Sequence, residues 1–68
     1  MLNKLIKLNE RIDMFDAYKT NLNKHNEIEV ITTNHLNHFT NIIINHIIDF
    51  CKTEHLSFCF RDNKILID

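Results

Sequence analysis

Apolar residues recur at steps of three and four in the middle of the chain, between Thr33 and Glu54. This spacing predicts one long helix with an apolar stripe that faces a core. The stripe consists of Leu36, Phe39, Ile43, Ile47 and Phe50. At about 100° of rotation per residue, neighbouring apolar residues widen this stripe to about two thirds of the helix circumference. The apolar stripe of an ordinary surface helix covers only ~100°. We therefore expect this central helix to be covered on two sides.

A narrower stripe of the same spacing precedes it, from Leu2 to about Asn23. It predicts an amphipathic helix of about five turns that packs against the central helix. Self-association through a short coiled coil is the alternative. We expect this first helix to end at residues 23–26, where asparagine can take the left-handed conformation that glycine usually provides.

Residues 27–32 alternate between polar and apolar and are rich in β-branched side chains, which predicts a short strand. The alternative is that the central helix already starts at Glu27. Thr32, Thr33 and Asn34 are three consecutive N-cap candidates, and they favour a helix boundary there.

The segment from Leu56 to Asp68 predicts a β-hairpin that turns at Asp62-Asn63. That turn places two pairs of large apolar side chains on one face and a third pair on the other. The expected pairs are Phe60 with Ile65, Phe58 with Ile67, and Cys59 with Leu66.

The predicted order is helix, strand, helix, strand, strand, in a single domain over residues 1–68. The predicted fold class is therefore α+β, with two helices packed on a small three-stranded sheet that ends in a C-terminal β-hairpin. A domain of this size buries only about 60% of its unfolded surface. Small domains usually gain stability from disulfides, a metal or a second subunit. We expect a homodimer.

Composition narrows the classes of function. Eight basic and nine acidic residues give a net charge of −1, so there is no strong field to attract nucleic acid or an anionic membrane. Residues 30–48 form an uncharged run long enough to span a bilayer, but its asparagines and histidines argue against a membrane helix. Without an apolar signal segment near Met1, the expected location is cytoplasmic, with reduced cysteines.

Cys51, His55 and Cys59 lie at successive steps of four, a spacing that can begin a zinc site. A fourth ligand would have to come from another histidine. The competing interpretation places Cys51 in the core, Cys59 on a strand and His55 at the helix end, and it leads us to expect no metal or other cofactor. The chain also lacks glycines for a phosphate cradle and a nucleophile oriented by a base and a carboxylate, so we expect no enzyme.

The surplus apolar arc of the central helix adjoins a row of uncharged amides, which are less costly to desolvate than charges. The predicted partner-binding residues are Asn37, Asn41, Ile42, Ile44, Asn45 and Ile48. This pattern favours a non-enzymatic module that regulates or inhibits a larger, unidentified protein by binding it. The abundance of isoleucine and asparagine is typical of AT-rich coding sequence, including phages and mobile elements. The alternative is a small dimeric nucleic-acid-binding regulator whose asparagines read adenine.

Overall fold

A computed structural model describes residues 1–33 and 39–68 and contains two helices and one four-stranded sheet. The helices are α1 (Leu2–Ile12) and α2 (Asn41–Glu54), and the strands are β1 (Tyr18–Leu22), β2 (Ile28–Thr32), β3 (Phe58–Arg61) and β4 (Lys64–Ile67). All neighbouring strands are antiparallel, in the order β1-β2-β4-β3. The α+β class is confirmed. The predicted three strands and their order are not, because a further strand follows α1.

The predicted first helix is wrong beyond Ile12. Residues 18–22 instead form β1, which pairs with β2 from Tyr18 opposite Thr32 to Leu22 opposite Ile28. Two residues four apart share a face both in a helix and in a strand, so Tyr18 and Leu22 fit either spacing. Pairing with β2 satisfies the backbone groups of the segment, and this decides in favour of the strand.

The central helix begins at Asn41, not at Thr33. Its N-cap is Thr40, whose hydroxyl accepts a hydrogen bond from the backbone N–H of Ile43 at 3.3 Å. Of the predicted caps, Thr32 lies in β2, and the N–H of Thr33 bonds the carbonyl of Ala17, next to the β1–β2 ladder. The predicted cap Asn34 and stripe residue Leu36 lie outside the described residues.

The predicted strand over residues 27–32 is confirmed as β2, so α2 does not start at Glu27. The C-terminal hairpin is confirmed with its three predicted pairs, Phe60 with Ile65, Phe58 with Ile67 and Cys59 with Leu66. Asp62 and Asn63 form its turn with φ values of 55° and 63°. Positive φ at both positions is the type I′ pattern, whose twist matches that of the strands.

The core lies between one face of the sheet and the two helices. Strands β2 and β4 form its floor with Ile28, Val30, Ile65 and Ile67, and all four side chains are buried. The helices cover them with Leu8 and Ile12 from α1 and with Ile43, Ile47 and Phe50 from α2. Each helix is followed by a hairpin, and the two hairpins meet where β2 pairs with β4. The core is therefore shared by both halves of the chain.

Helix α2 ends at a residue with left-handed backbone, His55, with φ 58° and ψ 45°. The N–H groups of His55 and Leu56 both bond the carbonyl of Cys51. The bond from Leu56 is that of a Schellman motif, whose left-handed position is usually glycine. In this glycine-free chain a histidine occupies it.

Candidate functional site

The exposed side of α2 carries the candidate partner-binding residues. Ile43 and Ile47 face the core and thereby fix the orientation of the helix. Ile42 is 61% exposed, Asn41 and Asn45 are exposed, and Ile44 and Ile48 are half-buried. The sixth predicted residue, Asn37, lies outside the described residues.

Contacts with α1 and with Phe15, which follows it, identify one flank of α2. Asp49 pairs with Arg11 at 3.5 Å, and the His46 ring meets the Phe15 ring edge-on with centroids 5.5 Å apart. Ile42 belongs to this flank, because it lies one helical turn from His46. A shallow depression of about 230 Å³ on this flank is lined by Ile42, Asn45, His46 and Asp49.

Ile44 and Ile48 lie on the opposite flank. The rotation per residue places Ile44 about 160° around the helix from Ile42. The exposed Asn41 and Asn45 lie between the two flanks. The described part of the predicted surface is thus two apolar flanks separated by a row of amides.

The side of α1 that faces α2 carries a basic row that pairs with acidic groups of α2. Lys4 and Lys7 pair with the carboxylate of Glu54 at 3.1 and 3.4 Å, and Lys4 also donates to the Glu54 carbonyl at 3.1 Å. The hydrogen bond from Lys4, helped by the charges of both lysines, holds the pKa of Glu54 below its ordinary value. Since Arg11 pairs with Asp49, three basic groups of α1 are engaged within the fold.

A series of aromatic contacts runs across the end of the sheet. Its centroid separations are 6.5 Å for Phe15 and Tyr18, 5.6 Å for Tyr18 and Phe39, 6.2 Å for Phe39 and Phe60, and 6.4 Å for Phe60 and Phe58. The Tyr18 hydroxyl accepts a hydrogen bond from the N–H of Thr40. This series ties β1 to the start of α2 and to β3. Sequence spacing did not reveal it, because it had placed Tyr18 and Phe39 on helices.

The face of the sheet opposite the core includes Cys59 and Leu66. Leu66 is only 7% exposed, although it lies outside the core cluster. Glu29 lies opposite it and pairs with Lys64 at 3.3 Å. Burial alone would raise the pKa of Glu29, but hydrogen bonds from Asn23, Lys64 and Asn21 together lower it.

The three residues with zinc-like spacing are not brought together. Cys51 is buried in the core, where burial raises the pKa of its thiol. Cys59 is exposed and shares the opposite face of the sheet with Leu66, while His55 is exposed at the end of α2. Residues 1–33 and 39–68 contain no group of three or more histidine, cysteine or acidic side chains placed to hold a metal.

A wider groove of about 500 Å³ lies between the end of α1 and β1. Asn9 accepts a hydrogen bond from the Thr20 hydroxyl there, and Asp13, Asp16 and Lys19 add charges of both signs. Sequence reasoning missed this groove, because it exists only where the chain leaves α1 and turns back as β1.

Neither described helix is long and apolar enough to cross a membrane. Comparison of the chain with protein family models, curated proteins and solved structures finds no match.

Proposed function

We propose that this chain is a small protein-interaction module that regulates or inhibits a larger protein by binding it, and that it acts as a homodimer. The observation that carries the proposal is the exposure of Ile42, which leaves 61% of its surface in contact with solvent on a regular helix. Asn41 and Asn45 extend this surface without adding charge. Uncharged amides around an exposed apolar side chain suit a protein partner, since little charge must be desolvated on binding.

The charge distribution favours a protein over nucleic acid as the partner. Phosphate contacts supply most of the affinity of a nucleic-acid-binding protein, and they require free basic groups. In this fold Lys4, Lys7 and Arg11 are already paired with acidic groups of α2. The mechanism we propose is steric, in which the Ile42 surface of α2 occupies part of the partner.

Quantitative affinity capture from a lysate of the native host tests the proposal. The baits are the wild-type chain, Ile42→Asp, and the matched control Leu2→Asp, whose leucine is 59% exposed on α1. We expect one protein to be enriched by wild type and by Leu2→Asp but not by Ile42→Asp. Purified partner should then bind in calorimetry with the same dependence on the variant.

Two results would contradict this function. Identical capture by all three baits would show that the Ile42 surface does not bind a partner. Capture that is abolished by nuclease treatment would instead assign the chain to nucleic acid.

A further inference from the structure

Strand β3 is the less protected edge of the sheet. Within residues 1–33 and 39–68, β4 is the one strand that pairs with it. Natural edge strands are usually protected by charges, lysine above all, or by a covering element. On the opposite edge, β1 contains Lys19 and packs against α1. In contrast, the one charged residue of β3 is Arg61, at its end next to the turn. The strand begins with Phe58, Cys59 and Phe60, and Phe60 is 57% exposed.

The backbone of β3 has hydrogen-bonding groups directed away from β4. In an antiparallel hairpin with a two-residue turn, bonded and non-bonded residue pairs alternate along the ladder. The bond from the Asp68 N–H to the Ser57 carbonyl sets the phase, so Ser57, Cys59 and Arg61 bond toward β4. The N–H and C=O groups of Phe58 and Phe60 therefore point to the side of β3 that lies away from β4.

We propose that a second copy of this chain occupies that edge, with the two β3 strands antiparallel and the twofold axis passing through Cys59. The inference rests on the homodimer proposed above and names its interface. Phe58 of each copy pairs with Phe60 of the other, which forms four backbone hydrogen bonds. The two four-stranded sheets become one continuous sheet, and the two Cys59 side chains meet on the face opposite the core.

The geometry of the strand selects this register. A twofold interface requires the same patch on both copies. Centring it on Cys59 uses only ladder residues, 57–61, from each chain. A shift toward the hairpin would require Asp62 in the strand, yet Asp62 has positive φ. A shift the other way would pair Phe60 with Leu56, yet the Leu56 N–H already bonds the Cys51 carbonyl.

Charge and side-chain pairing agree with self-association. Arg61 of one copy falls opposite Ser57 of the other, so no like charges face each other. Each exposed Phe60 gains a cross-strand aromatic partner in Phe58. Ile44 and Ile48 lie on the flank of α2 that faces away from α1, and α1 packs over β1. The dimer would bring this flank of one copy next to the same flank of the other copy, above the paired β3 strands. The interface would then extend from the strands to the helix layer.

Cross-linking with a short bismaleimide tests the position of the axis. In this register the two Cys59 Cα atoms form a non-hydrogen-bonded pair roughly 4.5 Å apart. We expect a covalent dimer from the wild-type chain and from Cys51→Ser, and none from Cys59→Ser. The matched control is Asn21→Cys in the Cys59→Ser background, which places a thiol in the same row of the sheet at the opposite edge. It should remain uncross-linked.

Sedimentation equilibrium at micromolar concentration provides the second measurement. Wild type and the exposed control Leu2→Lys should sediment as dimers, whereas Phe60→Lys should weaken dimerisation at least tenfold. A wild-type monomer would overturn both the dimer and this interface. A dimer that does not cross-link through Cys59, or that cross-links equally through Asn21→Cys, would overturn the interface alone.

Discussion

Replacing His55 by glycine should stabilise the domain, because the fold holds this residue in the left-handed region at φ 58° and ψ 45°. A residue with a Cβ is roughly 1–2 kcal/mol less stable in that conformation than in the right-handed one. Glycine lacks this strain but loses more backbone entropy on folding, a cost of about 0.5–1 kcal/mol. The net expected gain is about 0.5–1 kcal/mol. In a domain of this size, that gain raises the melting temperature by roughly 2–8 °C.

Two further variants separate the backbone effect from the loss of the imidazole. His55→Ala removes the ring but keeps the Cβ, so it should be less stable than His55→Gly by about 1 kcal/mol. Lys52→Gly introduces glycine three residues earlier, inside the helix, and should lower stability by roughly 0.5–1 kcal/mol. The same residue type thus has opposite effects at two neighbouring positions.

Urea and thermal unfolding followed by circular dichroism at 222 nm measure these differences. The reasoning is refuted if His55→Gly is no more stable than His55→Ala. Such a result would mean that the positive φ at the end of α2 carries no strain that glycine can relieve.

Three other sets of substitutions test the cap, the core and the ion pairs. Thr40→Ala removes the N-cap acceptor of α2 and should cost about 1 kcal/mol in urea unfolding, whereas Asn41→Ala, one residue later and exposed, should cost less than half of that. Ile47→Ala should cost about 2–5 kcal/mol, because it leaves a cavity in the core, whereas Ile42→Ala on the exposed surface should stay within about 0.5 kcal/mol of wild type. The pKa of Glu54 is lowered in the folded state, so its stabilising contribution is complete above the ordinary value of 4.5 and is lost as pH falls through the folded pKa. Between pH 7 and pH 3, Glu54→Gln and Lys4→Met should therefore lose less stability than wild type, and parallel pH profiles for all three chains would contradict the role of this pair.

The C-terminal hairpin could be predicted because the information that specifies it is local. Asp62 and Asn63 tolerate positive φ, and the flanking apolar residues alternate with a single register consistent with that turn. Strand β2 could be predicted for the same reason, since its alternation is unbroken.

The boundary between α1 and β1 could not be predicted from spacing. Tyr18 and Leu22 fit a helical stripe as well as a strand, and β1 forms its ladder with β2, across a five-residue loop. The start of α2 was misplaced because three candidate caps lie near Thr33, while the residue used is Thr40. Which cap forms depends on where the preceding strand ends, and that is set by tertiary pairing.

The candidate surface was predicted because apolar residues cover a wide arc of the central helix. The width of that arc indicates more apolar area than one core-facing side needs, but it does not indicate which part a neighbouring element covers. Once α1 lies along the flank of Asp49 and His46, Ile42 and Ile44 are separated by the amide row. The edge of β3 follows from the predicted hairpin. However, β3 is an edge strand because β2 pairs with β4 and not with β3. The sequence did not reveal this strand order.

The pairing of β2 with β4 makes the folding of the domain cooperative. Each hairpin closes a short loop, but Val30 and Ile65 are about 35 residues apart in sequence, and joining them costs of order 3 kcal/mol in chain entropy. That loss is offset only when both helices cover the isoleucines on either side of the junction. Neither a helix with its own hairpin nor the sheet alone retains enough buried area to persist in water. The two halves of the polypeptide must therefore gain and lose their structure together.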